Sequence, residues 1–132
     1  MLDINLYPLH IKDSVEQAYL PGLHFSVSPK YAARSRQGDQ IIMLITAINE
    51  MAISQDRLTD ALDKSAAEYY KSSGTVTAGL KRCAEYLNDV VLEFNLKESS
   101  GGHQQSCMLN IAVIRENRVY IAHAGYTHSF VL

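Results

Sequence analysis

A stretch of twenty residues, SCMLNIAVIRENRVYIAHAG at positions 106–125, decides the fold of this chain. Two apolar runs, at residues 107–114 and 118–124, flank the polar triplet Arg115-Glu116-Asn117, a pattern typical of two β-strands joined by a turn. Asn117 favours a tight hairpin because asparagine tolerates a positive φ. Gly125 separates this hairpin from residues 128–132, for which we predict a last strand. The chain should therefore end in an antiparallel meander.

Two helices are predicted immediately upstream of this meander. Ser54 is a good N-cap for a helix over residues 55–71. Ser72-Ser73-Gly74 then breaks the helical pattern, and Thr75 caps a second helix that runs to about residue 96. Because the break is short, the two helices should pack antiparallel on one face of a sheet. Their predicted buried stripes are Leu58, Ala61, Leu62, Ser65, Ala66 and Tyr69 in the first helix, and Leu80, Cys83, Ala84, Leu87, Val91 and Phe94 in the second.

Two further strands are predicted before the helices. Residues 23–28 place Leu23, Phe25 and Val27 on one face, and Pro29 ends the strand. The apolar run at residues 40–48 is typical of a strand buried on both faces. Residues 1–22 form a partly ordered N-terminal segment, with a short strand near residues 2–6 and a helical turn at 14–20. The predicted fold is α+β, in the order β-β-α-α-β-β-β, with one domain at residues 23–132.

Composition limits the classes of protein to which the chain can belong. Its 132 residues, 47% hydrophobic and 20% charged, suit one globular domain. A formal net charge of −2 gives no attraction to nucleic acid or to an anionic membrane. Cys83 and Cys107 lie in apolar segments and should be reduced and buried. The longest apolar run is far shorter than the roughly 20 residues of a membrane span, and no secretory signal is present, so a cytoplasmic location is expected.

The last thirty residues resemble the signature of metal-dependent (type 2C, PPM-type) serine/threonine phosphatases. As in that signature, an apolar strand follows Ser106 and a turn comes next. In the strand after the turn, Tyr120, Ala122 and Gly125 match the register of the signature. Upstream, residues 34–39 resemble the family's Arg-x-x-Asn-Glu-Asp segment. The similarity covers residues 23–132, about the N-terminal half of a family domain. It implies part of a two-sheet β-sandwich with the helix pair on one face.

The resemblance also implies where a metal and a phosphate would bind. In the family, carboxylates hold paired Mg²⁺ or Mn²⁺ ions, and an arginine contacts the phosphate. Asp39 matches a metal-site position, and Arg34 or Arg36 matches the arginine. Residues 46–50 replace the family's Asp-Gly-x-Gly-Gly loop, and Gly125-Tyr126 replaces its later Gly-Asp. The metal site is therefore degenerate, and no cofactor is expected unless the chain works as an enzyme, in which case Mg²⁺ or Mn²⁺ is required.

Two polar groupings remain open to a functional or a structural interpretation. Arg34 and Arg36, with Lys30, could form an anion pocket in which Asp39 orients one arginine, or they could lie in a solvated loop. His103, His123 and His128 could bind a transition metal, but their spacing favours surface or hydrogen-bonded histidines.

Three functions follow from these observations. The first is a non-catalytic phosphatase-like module for protein interaction or signalling, which could assemble with itself. The second is a metal-dependent protein phosphatase that forms part of a longer chain. The third is a small-ligand sensory domain with a pocket between the helix pair and the central strands. Half of a sandwich leaves unpaired, apolar sheet edges to be covered, so a protein partner or a second copy is the expected partner.

Overall fold

The structure is a computed structural model that describes residues 3–48, 52–97 and 104–132. The element order is β-β-β-β-α-α-β-β, which confirms the α+β class and corrects the predicted order. The strands are β1 (His10–Lys12), β2 (Val15–Gln17), β3 (Leu23–Val27), β4 (Gln40–Ala47), β5 (Cys107–Arg115) and β6 (Arg118–Ala124), and the helices are α1 (Gln55–Lys71) and α2 (Val76–Lys97). No helix in the described ranges is long and apolar enough to cross a membrane.

Four strands form one antiparallel sheet in the order β3-β4-β5-β6. Ile42 pairs with Phe25 on one side and with Ala112 on the other, which fixes the register of the three strands. The predicted hairpin joins β5 to β6, and the positive φ of 53° falls at Glu116. At the other end of the sheet, Gly22 (φ 80°) lies so close to β4 that an added Cβ would sit 2.2 Å from the carbonyl oxygen of Ile45. This tight entry into β3 therefore requires glycine.

The two helices begin at the predicted caps. The Ser54 side chain accepts from the backbone N–H of Arg57, and Thr75 Oγ1 accepts from the N–H of Ala78 at 3.1 Å. Every residue of the predicted α1 stripe is buried, and in α2 Ala84 and Val91 are the two that are only partly buried. The helices pack together, and their stripes cover one face of the sheet. The sheet contributes Ile41, Met43, Ile45, Leu109, Ile111 and Val113 to this core.

Strand β4 corrects the prediction of a strand buried on both faces. Ile41, Met43 and Ile45 are buried under the helices, but the alternate residues Ile42 and Leu44 are only half-buried. The apolar run is continuous because both faces of β4 are apolar, although the helices cover only one of them. The uncovered side of the four-stranded sheet is called the open sheet face below.

Both ends of the chain differ from the prediction. The N-terminal segment contains the antiparallel pair β1 and β2 instead of a helical turn at 14–20, and the described residues 3–6 form no strand. Residues 128–132 also form no strand. The chain leaves β6 at Gly125, and Thr127 Oγ1 donates to Asn110 Oδ1 at 2.7 Å. These contacts carry the tail away from the edge where a fifth strand would have to pair.

Candidate functional site: a buried arginine–aspartate network

The three residues predicted for an anion or metal site lie in and just after a 3₁₀ turn at Arg34–Arg36. Arg34 is exposed, whereas Arg36 and Asp39 are fully buried. Lys30 is exposed in the preceding loop. The structure therefore separates Arg34 and Lys30 from the other two residues. Asp39 continues the inward alternation of Ile41 and Met43, so its carboxylate points under the helices.

Arg36 is bonded to the junction between the two helices. Its Nε donates to the carbonyl oxygen of Ser72 at 2.9 Å, and its Nη2 donates to that of Thr75 at 2.8 Å. Its Nη1 donates to the Tyr69 hydroxyl at 3.2 Å, and the guanidinium lies 4.3 Å from the centre of the Tyr69 ring. Ser72 is the C-cap of α1, where carbonyl oxygens favour a cation. All three guanidinium nitrogens thus have protein partners in the helix junction.

Asp39 is the acceptor at the centre of the network. Arg115 Nε donates to Oδ1 and Arg115 Nη2 to Oδ2, each at 2.7 Å, and the Tyr69 hydroxyl donates to Oδ2 at 2.7 Å. Burial and the Asp39 carboxylate raise the pKa of Tyr69 well above its usual range, so the phenol stays protonated. The hydrogen bond to Asp39 raises the pKa of Arg115 in turn. Both carboxylate oxygens are therefore engaged by protein donors.

The network joins three parts of the chain and carries a surplus of positive charge. Arg36 and Arg115 are cationic, Asp39 is anionic, and Tyr69 is neutral. The Arg115 side chain keeps 29% of its surface exposed, which places the surplus charge next to solvent. Arg115 Nη2 also donates to the Ser35 carbonyl oxygen at 2.6 Å. This arrangement orders the loop before β4 and the end of β5 against the helix junction.

A polar cleft of about 550 Å³ opens on the exposed side of this network. Arg34 and Arg115 both line it, together with Gln37, Glu116 and Asn117. The structure thus brings Arg34 near Arg115, not near Arg36. An anion entering the cleft would have to compete with Asp39 for Arg115. It would also lie near Glu116, in the turn between β5 and β6. The cleft is a weaker anion site than the sequence pattern predicted.

Arg115 and Tyr69 are the residues of this site that sequence analysis did not identify as functional partners of Asp39. A signal for Arg115 was present, because it follows Ile111 and Val113 on the inward face of β5. Extending the β4–β5 register by one residue places Arg115 directly opposite Asp39, as a cross-strand pair of opposite charge. Tyr69 was predicted in the buried stripe of α1 and is fully buried, but its contact with Asp39 was not predicted.

The alternative metal ligands do not converge. His123 Nε2 lies 2.8 Å from Ser129 Oγ, and the ring of His128 lies beside that of Phe130. His103 and residues 49–50 of the predicted metal loop lie outside the described residues. Within residues 3–48, 52–97 and 104–132, no three His, Cys, Asp or Glu side chains are grouped so that they could hold a metal ion.

A cleft of about 400 Å³ bears on the sensory-domain hypothesis. It lies between α2 and the strands, and its apolar lining includes Ile45, Leu87 and Leu109. The Asn95 side chain, which lines this cleft, bonds to the backbone of Gln105. Asn95 Nδ2 donates to Gln105 O at 3.0 Å, and Gln105 N donates to Asn95 Oδ1 at 2.7 Å. Helix α1 contributes no residue to it, so it differs from the pocket that hypothesis predicted.

The open sheet face is an apolar surface that the helices leave uncovered. Phe25, Val27, Val119 and Ile121 are between 40% and 58% exposed on its two edge strands. The strand register assigns to this face Leu23, Phe25 and Val27 of β3, Gln40, Ile42, Leu44 and Thr46 of β4, Met108, Asn110, Ala112 and Ile114 of β5, and Val119, Ile121 and His123 of β6.

Comparisons with known proteins do not assign the chain to a family, because no protein-family model, no curated protein and no solved structure matches it. The likeness to type 2C phosphatases therefore rests on the residues of the sequence itself and remains a prediction.

Proposed function

We propose that this chain is a phosphatase-like module without phosphatase activity, that it works by binding protein, and that its partner is a second copy of itself packed on the open sheet face. The observation that carries the proposal is a four-stranded sheet covered by helices on one side only. Sheets with one apolar face uncovered are stabilised when a second sheet packs on them about 10 Å away. Two copies would build the two-sheet sandwich of which the chain resembles half.

The chemistry of the open sheet face suits a second copy. The face contains no Asp, Glu, Lys or Arg among its described residues. A two-fold interface packs the same patch of both copies together, so residues near the axis meet their own counterparts and charges there would repel. The uncharged face avoids this repulsion. Of its polar side chains, Asn110 bonds to Thr127 and His123 to Ser129 of the C-terminal tail, and Gln40 lies at the start of β4.

The area of the face predicts a transient dimer. Strands of five to nine residues, spaced about 4.8 Å apart with a rise of about 3.3 Å per residue, give a projected face of roughly 460 Å². That area is below the roughly 800 Å² per partner of a standard interface. The whole chain exposes 8953 Å², whereas a compact monomer of its mass exposes about 6,900 Å². The tails can therefore add contacts, and we expect dissociation in the micromolar range.

Phosphatase activity is the alternative, and the Asp39 geometry argues against it. A metal ion at Asp39 would have to displace Arg115 or Tyr69 from the carboxylate and would leave a buried donor without a partner. We expect calorimetric titration with Mn²⁺ to show no saturable binding. Saturable binding that disappears in Asp39→Asn would favour the phosphatase, with its remaining ligands supplied by another chain or by a longer form of this one.

Sedimentation equilibrium over a wide concentration range tests the proposal. The wild-type chain should pass from monomer to dimer, and Phe25→Lys or Val119→Lys should remain monomeric because each buries a charge in the interface. Leu96→Lys is the matched control, since Leu96 is an exposed leucine on α2, away from the sheet. Circular dichroism would establish that each variant is folded. A wild-type chain that stays monomeric up to about 1 mM would refute the proposal.

A further inference from the structure

A second group of polar side chains lies between β3 and α1, on the opposite side of the sheet from the open sheet face. The alternation of β3 places His24 and Ser26 on one face, turned toward α1. Asp63 and Tyr70 approach from α1. Together they border a cavity of about 140 Å³ that opens to solvent. None of these residues belongs to the network around Asp39 except Tyr70, whose hydroxyl is 3.4 Å from the Asp39 carbonyl oxygen.

Three of these side chains stand in a line of hydrogen bonds. Asp63 Oδ1 lies 3.1 Å from His24 Nδ1, and His24 Nε2 lies 3.0 Å from Ser26 Oγ. A carboxylate beside Nδ1 stabilises the tautomer with its proton on that nitrogen. Nε2 is then an acceptor and faces the serine hydroxyl. The order serine, histidine, aspartate is the arrangement by which a base activates a hydroxyl nucleophile.

We propose that Ser26, His24 and Asp63 form an acyl-transfer site for small activated esters, a function separate from self-association. Ser26 Oγ attacks the carbonyl carbon of the ester while its proton passes to His24 Nε2. The tetrahedral intermediate collapses, and the departing alkoxide takes that proton and leaves as the alcohol. Water, deprotonated by His24, then attacks the acyl-serine, and the proton returns to Ser26 as the carboxylic acid leaves.

The surroundings of the three residues suit this chemistry. Burial lowers the pKa of His24, which keeps the imidazole neutral and able to accept a proton near pH 7. Ser26 Oγ can also donate to the Tyr70 hydroxyl, which lies 3.5 Å away. Burial raises the pKa of Tyr70 to about 12, so this hydroxyl stays protonated and can turn toward a developing oxyanion. In the resting state this hydroxyl donates to the Ser26 carbonyl oxygen at 2.9 Å.

The cavity limits the size of the acyl group. Its apolar lining includes Pro29, Ala66 and Ala67, with no cationic side chain to bind a charged acid. A volume of about 140 Å³ accommodates only a short acyl chain. Asp63 is mostly exposed, so its contribution to orienting His24 is weakened by water. We therefore expect slow turnover of activated esters with short acyl groups.

Reaction of the full chain with p-nitrophenyl acetate tests the site. The wild type should release a burst of p-nitrophenol equal to the protein concentration, and peptide mass spectrometry should locate the acetyl group on Ser26. Ser26→Ala and His24→Gln should each lower the acylation rate about 100-fold, and Asp63→Asn about 10-fold. Ser28→Ala, directly after the end of β3, is the matched control and should react like wild type. Val119→Lys should do so as well, whatever its effect on association.

The dependence on pH separates activation by His24 from adventitious acetylation. The groups facing His24 are Asp63 and Tyr70 from α1 and Tyr31 from the loop after β3. Once the rate measured for Ser26→Ala is subtracted, the acylation rate should rise with pH and level off at the pH where His24 is neutral. Acetylation that is equally fast in folded Ser26→Ala, that falls on other residues, or that is unchanged in His24→Gln would overturn the proposal.

Discussion

Replacing Gly79 by alanine should destabilise the protein, although alanine is the better helix former. Gly79 lies in the first turns of α2, where Tyr69 and Arg36 pack directly on the helix backbone. A Cβ built at Gly79 would lie 2.6 Å from Tyr69 Cδ2 and Cε2 and 2.7 Å from Arg36 Nη2. Distances this short require one of the two side chains to move.

The magnitude follows from two opposing effects. Alanine in place of glycine gains about 1 kcal/mol of helix propensity. Against this, overpacking costs about 1–3 kcal/mol. The side chains cannot give way freely, because Tyr69 is bonded to Asp39 and Arg36 to the carbonyl oxygens of Ser72 and Thr75. Losing one such buried bond to a charged group costs a further 1.5–3 kcal/mol or so. We expect a net loss of about 1.5–5 kcal/mol in the free energy of unfolding.

Urea denaturation followed by circular dichroism would measure this loss. Ala78→Gly is the matched control, since it reverses the change at the neighbouring exposed position, and it should cost about 1 kcal/mol from propensity alone. If Gly79→Ala instead unfolds at the wild-type urea concentration or higher, the close packing of Tyr69 and Arg36 against α2 is wrong.

Three further predictions concern the network and the buried titratable groups. Asp39→Asn should lower the free energy of unfolding by about 2–4 kcal/mol, because it leaves Arg115 and its buried surroundings without a countercharge; urea denaturation showing wild-type stability would contradict this. Burial lowers the pKa of His24 below 6.5, so the unfolded chain binds a proton that the folded chain does not, and the free energy of unfolding should fall as the pH drops below about 6.5. Urea titrations of the wild type and His24→Gln at several pH values would test this, and parallel curves would refute it. Burial also raises the pKa of both thiols, to about 11 for Cys83. In alkylation followed by mass spectrometry, Cys107 should therefore react slowly in the folded chain, and Cys83 should react only on unfolding. Equal alkylation rates for the two thiols would show that the core is open.

Most of the fold could be predicted because each element has a local signal. The bounds of α1 follow from Ser54 and from the Ser72-Ser73-Gly74 break, and the apolar stripes of both helices follow from their 3.6-residue period. The positions of the four sheet strands along the chain, two before the helix pair and two after it, follow from their apolar runs. The errors fall at the two ends, where residues 128–132 have strand composition but the bond from Thr127 to Asn110 carries them away from the edge of β6.

The site was harder to predict because its geometry depends on tertiary pairing. Arg34, Arg36 and Asp39 are neighbours in sequence, but only Arg36 and Asp39 point inward. Their partners, Tyr69 and Arg115, come from α1 and β5. Sequence analysis assigned Asp39 to a metal position by resemblance, and only the β4–β5 register reveals that an arginine lies opposite it. His24 and Ser26 show a strand period of two, but nothing in the sequence indicates that Asp63 approaches them.

The pairing of Asp39 with Arg115 also constrains the order in which the chain can fold. The two residues are 76 positions apart, and both helices lie between them. During synthesis β3, β4 and the helix pair emerge first, and the Asp39 carboxylate must remain hydrated until β5 arrives. Local contacts within the helix pair can form early, whereas loop closure delays the contact with Arg115. The late pairing of β5 with β4 therefore neutralises the buried Asp39 carboxylate. In a nascent chain that ends before Arg115 this carboxylate stays hydrated, whereas in the finished protein it lies in a dry core.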